Sequence, residues 1–255
     1  MTEASRGKRV IVTRPVGQAD ELVAAIEALD KSLEIVHQPL IDIVPVSDEQ
    51  SSVLRQRMLD IDHYQAVIAI SKNAAEIGLQ WLDKYWPQPP LYIDWYGVGP
   101  TTADELKREL HPVFMPEQRF DSEGLLQLDR MQQVDGQRIL IWRGIGGRET
   151  LATELRRRGA QVDYAELYER RQINYSAPQW QQALKHQPLL LLSSGQALDI
   201  VEQQVDNLAG QVAAILVPSE RVAAKAKNKG YKQVLVATSA RDQDVLAQLR
   251  NWVGQ

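Results

Sequence analysis

Two stretches of the chain put the same residue types at the same spacing. In VIVTRPVGQADEL (10–22) and ILIWRGIGGRETL (139–151) an apolar run ends in an arginine, with a glycine three residues later and a leucine eight residues later. A strand, a glycine-bearing turn and an amphipathic helix form a cradle for an anion, because free backbone N–H groups and the positive end of the helix dipole face the ligand. Arg143 or Arg148 offers a forked guanidinium donor, and Gly144, Gly146 and Gly147 let the backbone approach closely. Arg14 is the counterpart in the first stretch, 129 residues earlier. The loop matches neither G-x-x-x-x-G-K-[ST] nor G-x-G-x-x-G, so a nucleotide or sugar-phosphate site is the weakest reading.

Three further pairs of segments match in the same order. ISKNA (70–74) matches SSGQA (193–197), GPTTA (99–103) matches VPSER (217–221), and VFMPEQRFDSEGLLQL (113–128) matches VLVATSARDQDVLAQL (234–249). In this register Ser71 faces Ser194, Thr101 faces Ser219, and the offset drifts between 129 and 118 residues. An ordered set of matches points to two copies of one plan. Ser71, Lys72, Thr101, Thr102, Ser194, Gly195 and Ser219 all fall at strand-to-helix junctions, where they would add hydroxyl and amide donors. The plainer role for each hydroxyl is a helix N-cap. VPSERVA departs from the hydroxyl-rich GPTTA form, which weakens Ser219 as a ligand, and SSG leaves Ser193 and Ser194 interchangeable.

The elements that must position these residues are short apolar strands. RVIVT (9–13), AVIAI (66–70), RILIW (138–142), LLLL (189–192), AAILV (213–217) and QVLVA (233–237) lack polar alternation, as strands covered on both faces do. Helical spacing follows in Leu22, Ile26 and Leu29, in Ala103, Leu106 and Leu110, and in Leu198, Val201 and Val205. The expected class is α/β with parallel sheets. HQPLIDIVPV (37–46) and YAELYERRQI (164–173) read as extended linkers able to pair as a short ladder.

Composition narrows the function classes. The 255 residues carry a net charge of −4 with 44% apolar and 24% charged residues, which argues against generic nucleic-acid or anionic-membrane binding. There is no cysteine, and His37, His63, His111 and His186 are scattered, so neither a thiolate nor an H-x-x-x-H metal site is expected. No G-x-S-x-G elbow marks a hydrolase. The start, MTEASRGKR, lacks the apolar core of a signal peptide and PLLLL (188–192) is too short to span a bilayer, so the cytoplasm is the expected compartment.

In VTRP with Gly17, HQPLIDIVP, ISKNA, YGVGPTTADEL, MPEQRFDSEGLL, GQRILIWRGIGGRETL, RGAQVDYAELYERR and LLSSGQAL, in that order, the chain resembles the uroporphyrinogen-III synthase family over nearly its full length. The resemblance implies two similar parallel-sheet α/β lobes joined by a two-stranded ladder, with the chain crossing twice and a cleft between the lobes. One lobe would be residues 1–38 plus 174–255, the other 45–165, and 39–44 and 166–173 the linker strands. It implies a monomeric, cofactor-free, cyclising hydro-lyase of haem biosynthesis. Its substrate would be hydroxymethylbilane, a linear tetrapyrrole with eight carboxylates, with neither nucleic acid nor membrane as partner and with room for a transient contact with the preceding pathway enzyme. The glycine-rich turns would then cradle carboxylates, with Arg14, Ser71, Lys72, Thr101, Thr102, Arg143, Gly146, Gly147, Arg148, Ser194, Gly195 and Ser219 as substrate-binding candidates. The family's linker tyrosine, overhanging the cleft, falls on Tyr168 in ELYERR. Its repeat counterpart lies near Pro39, so the duplication is broken there, as a reaction at one end of a substrate requires. Tyr168 would donate a proton or a hydrogen bond to the departing hydroxyl, while neighbouring Tyr164 is expected only to pack. The competing reading is a non-catalytic two-lobed binding or regulatory module for a polycarboxylate, since a fold does not fix a function.

Overall fold

The computed structural model describes residues 8–254. Along the chain come β1 (Arg9–Val12), α1 (Asp20–Leu29), β2 (Glu34–His37), β3 (Ile41–Pro45), α2 (Ser52–Leu59), β4 (Ala66–Ala69), α3 (Lys72–Tyr85), β5 (Asp94–Gly97) and α4 (Pro100–Leu106). Then follow β6 (Val113–Phe114), α5 (Ser122–Leu126), α6 (Asp129–Gln132), β7 (Arg138–Gly144), α7 (Thr150–Arg157) and β8 (Gln161–Gln172). The last stretch holds α8 (Ala177–Ala183), β9 (Leu189–Leu191), α9 (Gly195–Gln204), β10 (Ala214–Val217), α10 (Glu220–Asn228), β11 (Val234–Val236) and α11 (Asp242–Val253). The chain divides into a split unit, Met1–Asp42 with Arg171–Gln255, and a continuous unit, Ile43–Arg170.

The split unit carries a parallel sheet in the order β11-β10-β9-β1-β2. Its central strands, Val10–Val12 of β1 with β9 and β10, are apolar and buried because both faces are covered, whereas edge strand β2 (EIVH) has exposed ends. Ile11, Leu190, Leu192, Ile215 and Val217 face a core shared with α8, α9 and α10. Val10, Val12, Leu189, Leu191 and Leu216 face α1 and α11. The continuous unit has the order β3-β8-β7-β4-β5-β6, parallel from β8 to β6. Here Val67, Leu140 and Trp142 point to the α3 side, and Ile68, Ile139 and Ile141 to the α5–α7 side. Each large aliphatic side chain so enclosed contributes about 1.5–3 kcal/mol, and the period-two split between faces makes every strand register specific. Edge strand β3 runs against β8, since Val46 N–H bonds to Leu167 O at 2.9 Å and Ile173 N–H to Leu40 O at 3.0 Å.

The duplication is visible strand by strand. Val10 pairs with Leu189, and their counterparts Ile139 and Ala66 pair with each other. Ile215 pairs with Val234 as Trp95 pairs with Val113. One of the sequence matches shifts. Helices α10 and α4 begin after Ser219 and Gly99, so Ser219 corresponds to Gly99 and not to Thr101. Matching hydroxyl to hydroxyl across a short loop misplaced it by two residues; the strand register has no such freedom.

Candidate active site

In both sheets the chain winds one way from one strand and the other way from its neighbour. That reversal lies between β1 and β9 in the split unit and between β7 and β4 in the continuous unit. A parallel sheet opens a crevice at the carboxyl ends of such a pair, and ligands bind there. Arg14 and Ser194 follow β1 and β9, and Ser219 follows the adjacent β10. Ser71 and Lys72 follow β4, the Arg143–Arg148 loop ends β7, Thr101 and Thr102 follow β5, and Tyr168 lies in β8. Within each unit the candidates thus gather on one edge of consecutive strands.

Tyr168 reaches its place through a β-bulge. Arg143 pairs with Glu166 but Gly144 with Tyr168, leaving Leu167 as the extra residue. Regular alternation would put Tyr168 on the Val162 and Tyr164 face. The bulge moves it into the core with Ala165 and Leu167, on the side of α3. Its ring covers Gly144, where an added Cβ would lie 2.6 Å from Cε2. The resemblance implied an overhanging tyrosine; here the side chain is closed over, 1% exposed. Its hydroxyl shares a 3.0 Å hydrogen bond with Ser71 Oγ. Ser71 also caps α3, accepting from Ala74 N–H at 3.1 Å. Either hydroxyl can be the donor of that bond; when Tyr168 donates, Ala74 and Tyr168 fill both acceptor sites of Ser71 and leave its own proton for a ligand.

Beside this pair, Arg143 is 1% exposed. Its Nη1 donates to Glu149 Oε1 at 2.9 Å and its Nε to Gly144 O at 3.3 Å, while its guanidinium lies 4.4 Å from the Tyr164 ring centre. Gly147 makes room, since a Cβ there would meet Arg143 Nη2 at 2.5 Å. Gly146 holds φ of +73° in the turn. Arg148 is exposed and makes no ion pair among the described residues. Tyr164, expected only to pack, also donates to Glu149. That bond, followed by the contact with Arg143, holds the Glu149 carboxyl below its ordinary value of 4.5. A lowered folded pKa stabilises the fold above the ordinary carboxylate value, and the effect disappears as pH falls through the lower one. Between about pH 6 and about pH 3 the urea midpoint of the chain should therefore drop more steeply than that of Glu149→Gln. Equal slopes would show that the pair contributes nothing to stability.

The other candidates divide by exposure. Lys72 is ion-paired with Glu76 at 3.2 Å and half exposed. Thr101 is exposed, whereas Thr102 is buried at 3%. In the split unit Ser194 caps α9 through Ala197 N–H at 3.1 Å, leaving Gly195 as the first helical residue, and Ser219 caps α10 through Val222 N–H at 3.5 Å. Thr13 Oγ1 ties β1 to β9 by donating to Leu191 O at 2.7 Å. Arg14 pairs with Asp242 at 2.5 Å and donates to Ala240 O at 2.7 Å. Glu149 and Asp242 were not singled out from sequence. Nothing in their spacing distinguishes them from surface acids, because each partnership depends on the three-dimensional turn.

Duplicated α/β units with hydroxyl-capped helix starts along one strand edge give each unit a row of neutral donors. A family model described as uroporphyrinogen-III synthase HemD matches residues 20–247. A uroporphyrinogen-III synthase of Escherichia coli strain K12 is 33% identical over 253 residues, covering 93% of this chain and 97% of the relative. One of Proteus mirabilis is 36% identical over 170 residues, 65% of this chain and 82% of the relative. Among solved structures, uroporphyrinogen-III synthetase of Helicobacter pylori has a TM-score of 0.62 at 14% identity, covering 96% of this chain and 99% of that one. A mutant uroporphyrinogen III synthase of Thermus thermophilus has a TM-score of 0.59 at 14% identity, covering 97% and 99%. At that identity the structural likeness speaks for the fold. The chain belongs to the uroporphyrinogen-III synthase family. It is a cyclising hydro-lyase of porphyrin biosynthesis.

Proposed function

We propose that the Ser71–Tyr168 pair starts the reaction and that the donor-rich strand edges of both units hold the substrate. Hydroxymethylbilane loses its terminal hydroxyl as water, the resulting azafulvene attacks the substituted carbon of the last ring, and a spiro intermediate fragments and recloses with that ring inverted. The products, uroporphyrinogen III and water, balance the substrate. The observation that carries this reading is the Ser71–Tyr168 hydrogen bond of 3.0 Å at the start of α3. With Tyr168 as the donor of that bond, the half-buried Ser71 hydroxyl donates in turn to the departing oxygen and Tyr168 polarises it from behind.

Strong acid catalysis is not required. The bilane also closes spontaneously, without inversion, to the type I isomer. Steering the outcome 100:1 toward type III takes only about 2.7 kcal/mol of differential barrier, which positioning can supply. Backbone N–H groups at the starts of α3, α4, α9 and α10 serve the carboxylates, together with Thr101, Ser194 and Ser219. Because the substrate is short-lived and water-soluble, the reading places the activity in the cytoplasm and fits a transient handover from the enzyme that makes it. Freshly made hydroxymethylbilane supplied to the chain should give mainly the type III isomer. Type I alone from well-folded protein would favour a binding or regulatory module.

A further inference from the structure

At both duplicated tips the charged side chain is turned in and the apolar one out. Arg14 and Arg143 are engaged by Asp242 and Glu149, with side-chain exposures of 12% and 2%. Two residues further on, Val16 and Ile145 are 67% and 50% exposed. They occupy one repeat position, 129 residues apart, and each is followed by a glycine at positive φ, +77° at Gly17 and +73° at Gly146. In the first tip Gln18 N–H bonds back to Pro15 O at 3.1 Å. A glycine at positive φ in third place is the type II turn pattern.

A lone exposed apolar residue is ordinary on any surface. Among the described residues seven large apolar side chains are exposed, and two of them share one position of a duplicated unit. A merely solvated tip would place the arginine outward and the valine inward. Ile145 is also tied to the reacting pair, because its N–H donates to Tyr168 O at 2.8 Å.

We infer that Val16 and Ile145 are substrate-contact residues, each packing on the face of one pyrrole ring of the linear tetrapyrrole. The inference rests on the reading of the strand edges as the substrate site. One pyrrole unit of the bilane is a flat apolar ring with carboxylates at its rim. A β-branched side chain beside a helix start complements both parts, and its stiffness at χ1 leaves little freedom to lose on contact. On this account the arginines shape the tips from within, and the apolar residues meet the ligand.

Val16→Ser and Ile145→Ser should each raise KM for hydroxymethylbilane about five- to tenfold. The kcat should stay within about twofold, as expected for a contact kept equally in ground and transition states. The double variant should show roughly the product of the two effects. Ile145→Val should behave as the unsubstituted chain. Leu91→Ser, on an 87% exposed residue ahead of β5 at the opposite strand ends, should leave KM unchanged. Unchanged KM in both serine variants, or an equal rise in Leu91→Ser, overturns the inference while type III formation by the unsubstituted chain keeps the underlying reading. If the unsubstituted chain yields type I alone, that reading falls and the inference falls with it.

Discussion

Tyr168→Phe should slow type III formation by about 10- to 100-fold while leaving the fold intact. The substitution removes one hydroxyl and keeps the ring that covers Gly144. Stability should fall by no more than about 1 kcal/mol, the worth of one hydrogen bond. What changes is Ser71, which keeps its bond from Ala74 but loses its contact with the phenol. An open acceptor site lets water compete at Ser71 and weakens the proton it offers to the departing hydroxyl. Ser71→Ala should lower turnover without abolishing it. It costs the α3 cap about 1 kcal/mol, yet the Tyr168 hydroxyl remains and the other donors still hold the substrate. Steady-state rates with freshly made bilane, alongside urea denaturation, separate the two contributions. An unchanged rate in Tyr168→Phe would remove the tyrosine from the chemistry.

Much of this arrangement was readable before any coordinate. The apolar runs 9–13, 66–70, 189–192 and 213–217 became strands ending at Val12, Ala69, Leu191 and Val217, because burial on both faces demands unbroken apolar sequence. The arginine-to-glycine spacing located both tips because a positive φ favours glycine at that position. Strand β5, with the sequence DWYG, gave no such signal: an aspartate opens it and its aromatic residues suit several structures. The bulge that turns Tyr168 toward Ser71 arises from pairing between β7 and β8, a relation that no local pattern encodes. The inward turn of the arginines was likewise invisible. An arginine beside glycines suggests a ligand clamp, whereas Glu149 and Asp242 already engage both guanidinium groups. Ser71, Ser194 and Ser219 were legible as caps, whereas Thr101 and Thr102 lie inside α4 behind its cap Gly99; the Ser71 cap has a further partner, the Tyr168 hydroxyl.

Gly78→Ala sets two effects against each other, and the structure decides the sign. Gly78 lies inside α3, where alanine is intrinsically better by about 1 kcal/mol, so helix propensity alone favours the variant. A Cβ at this position, however, would lie 2.1 Å from Trp142 Cε3 and 2.4 Å from Cζ3. Trp142 is fully buried and meets Trp95 edge-on with ring centres 5.6 Å apart, so the indole has no room to retreat. Overpacking of this kind costs about 1–3 kcal/mol, at times more, and the severity of the clash places Gly78→Ala at the upper end. The net expectation is a loss of about 2 kcal/mol, read as a lower urea midpoint at unchanged slope. Adding Trp142→Phe, which removes the part of the indole the new methyl strikes, should recover part of that loss as a non-additive coupling. Turnover should fall with stability, because Trp142 precedes Arg143 and α3 carries Ser71 as its N-cap. A variant as stable as the unsubstituted chain, or more so, would mean that α3 is not seated on Trp142 and that the Ser71–Tyr168 contact is held by something else.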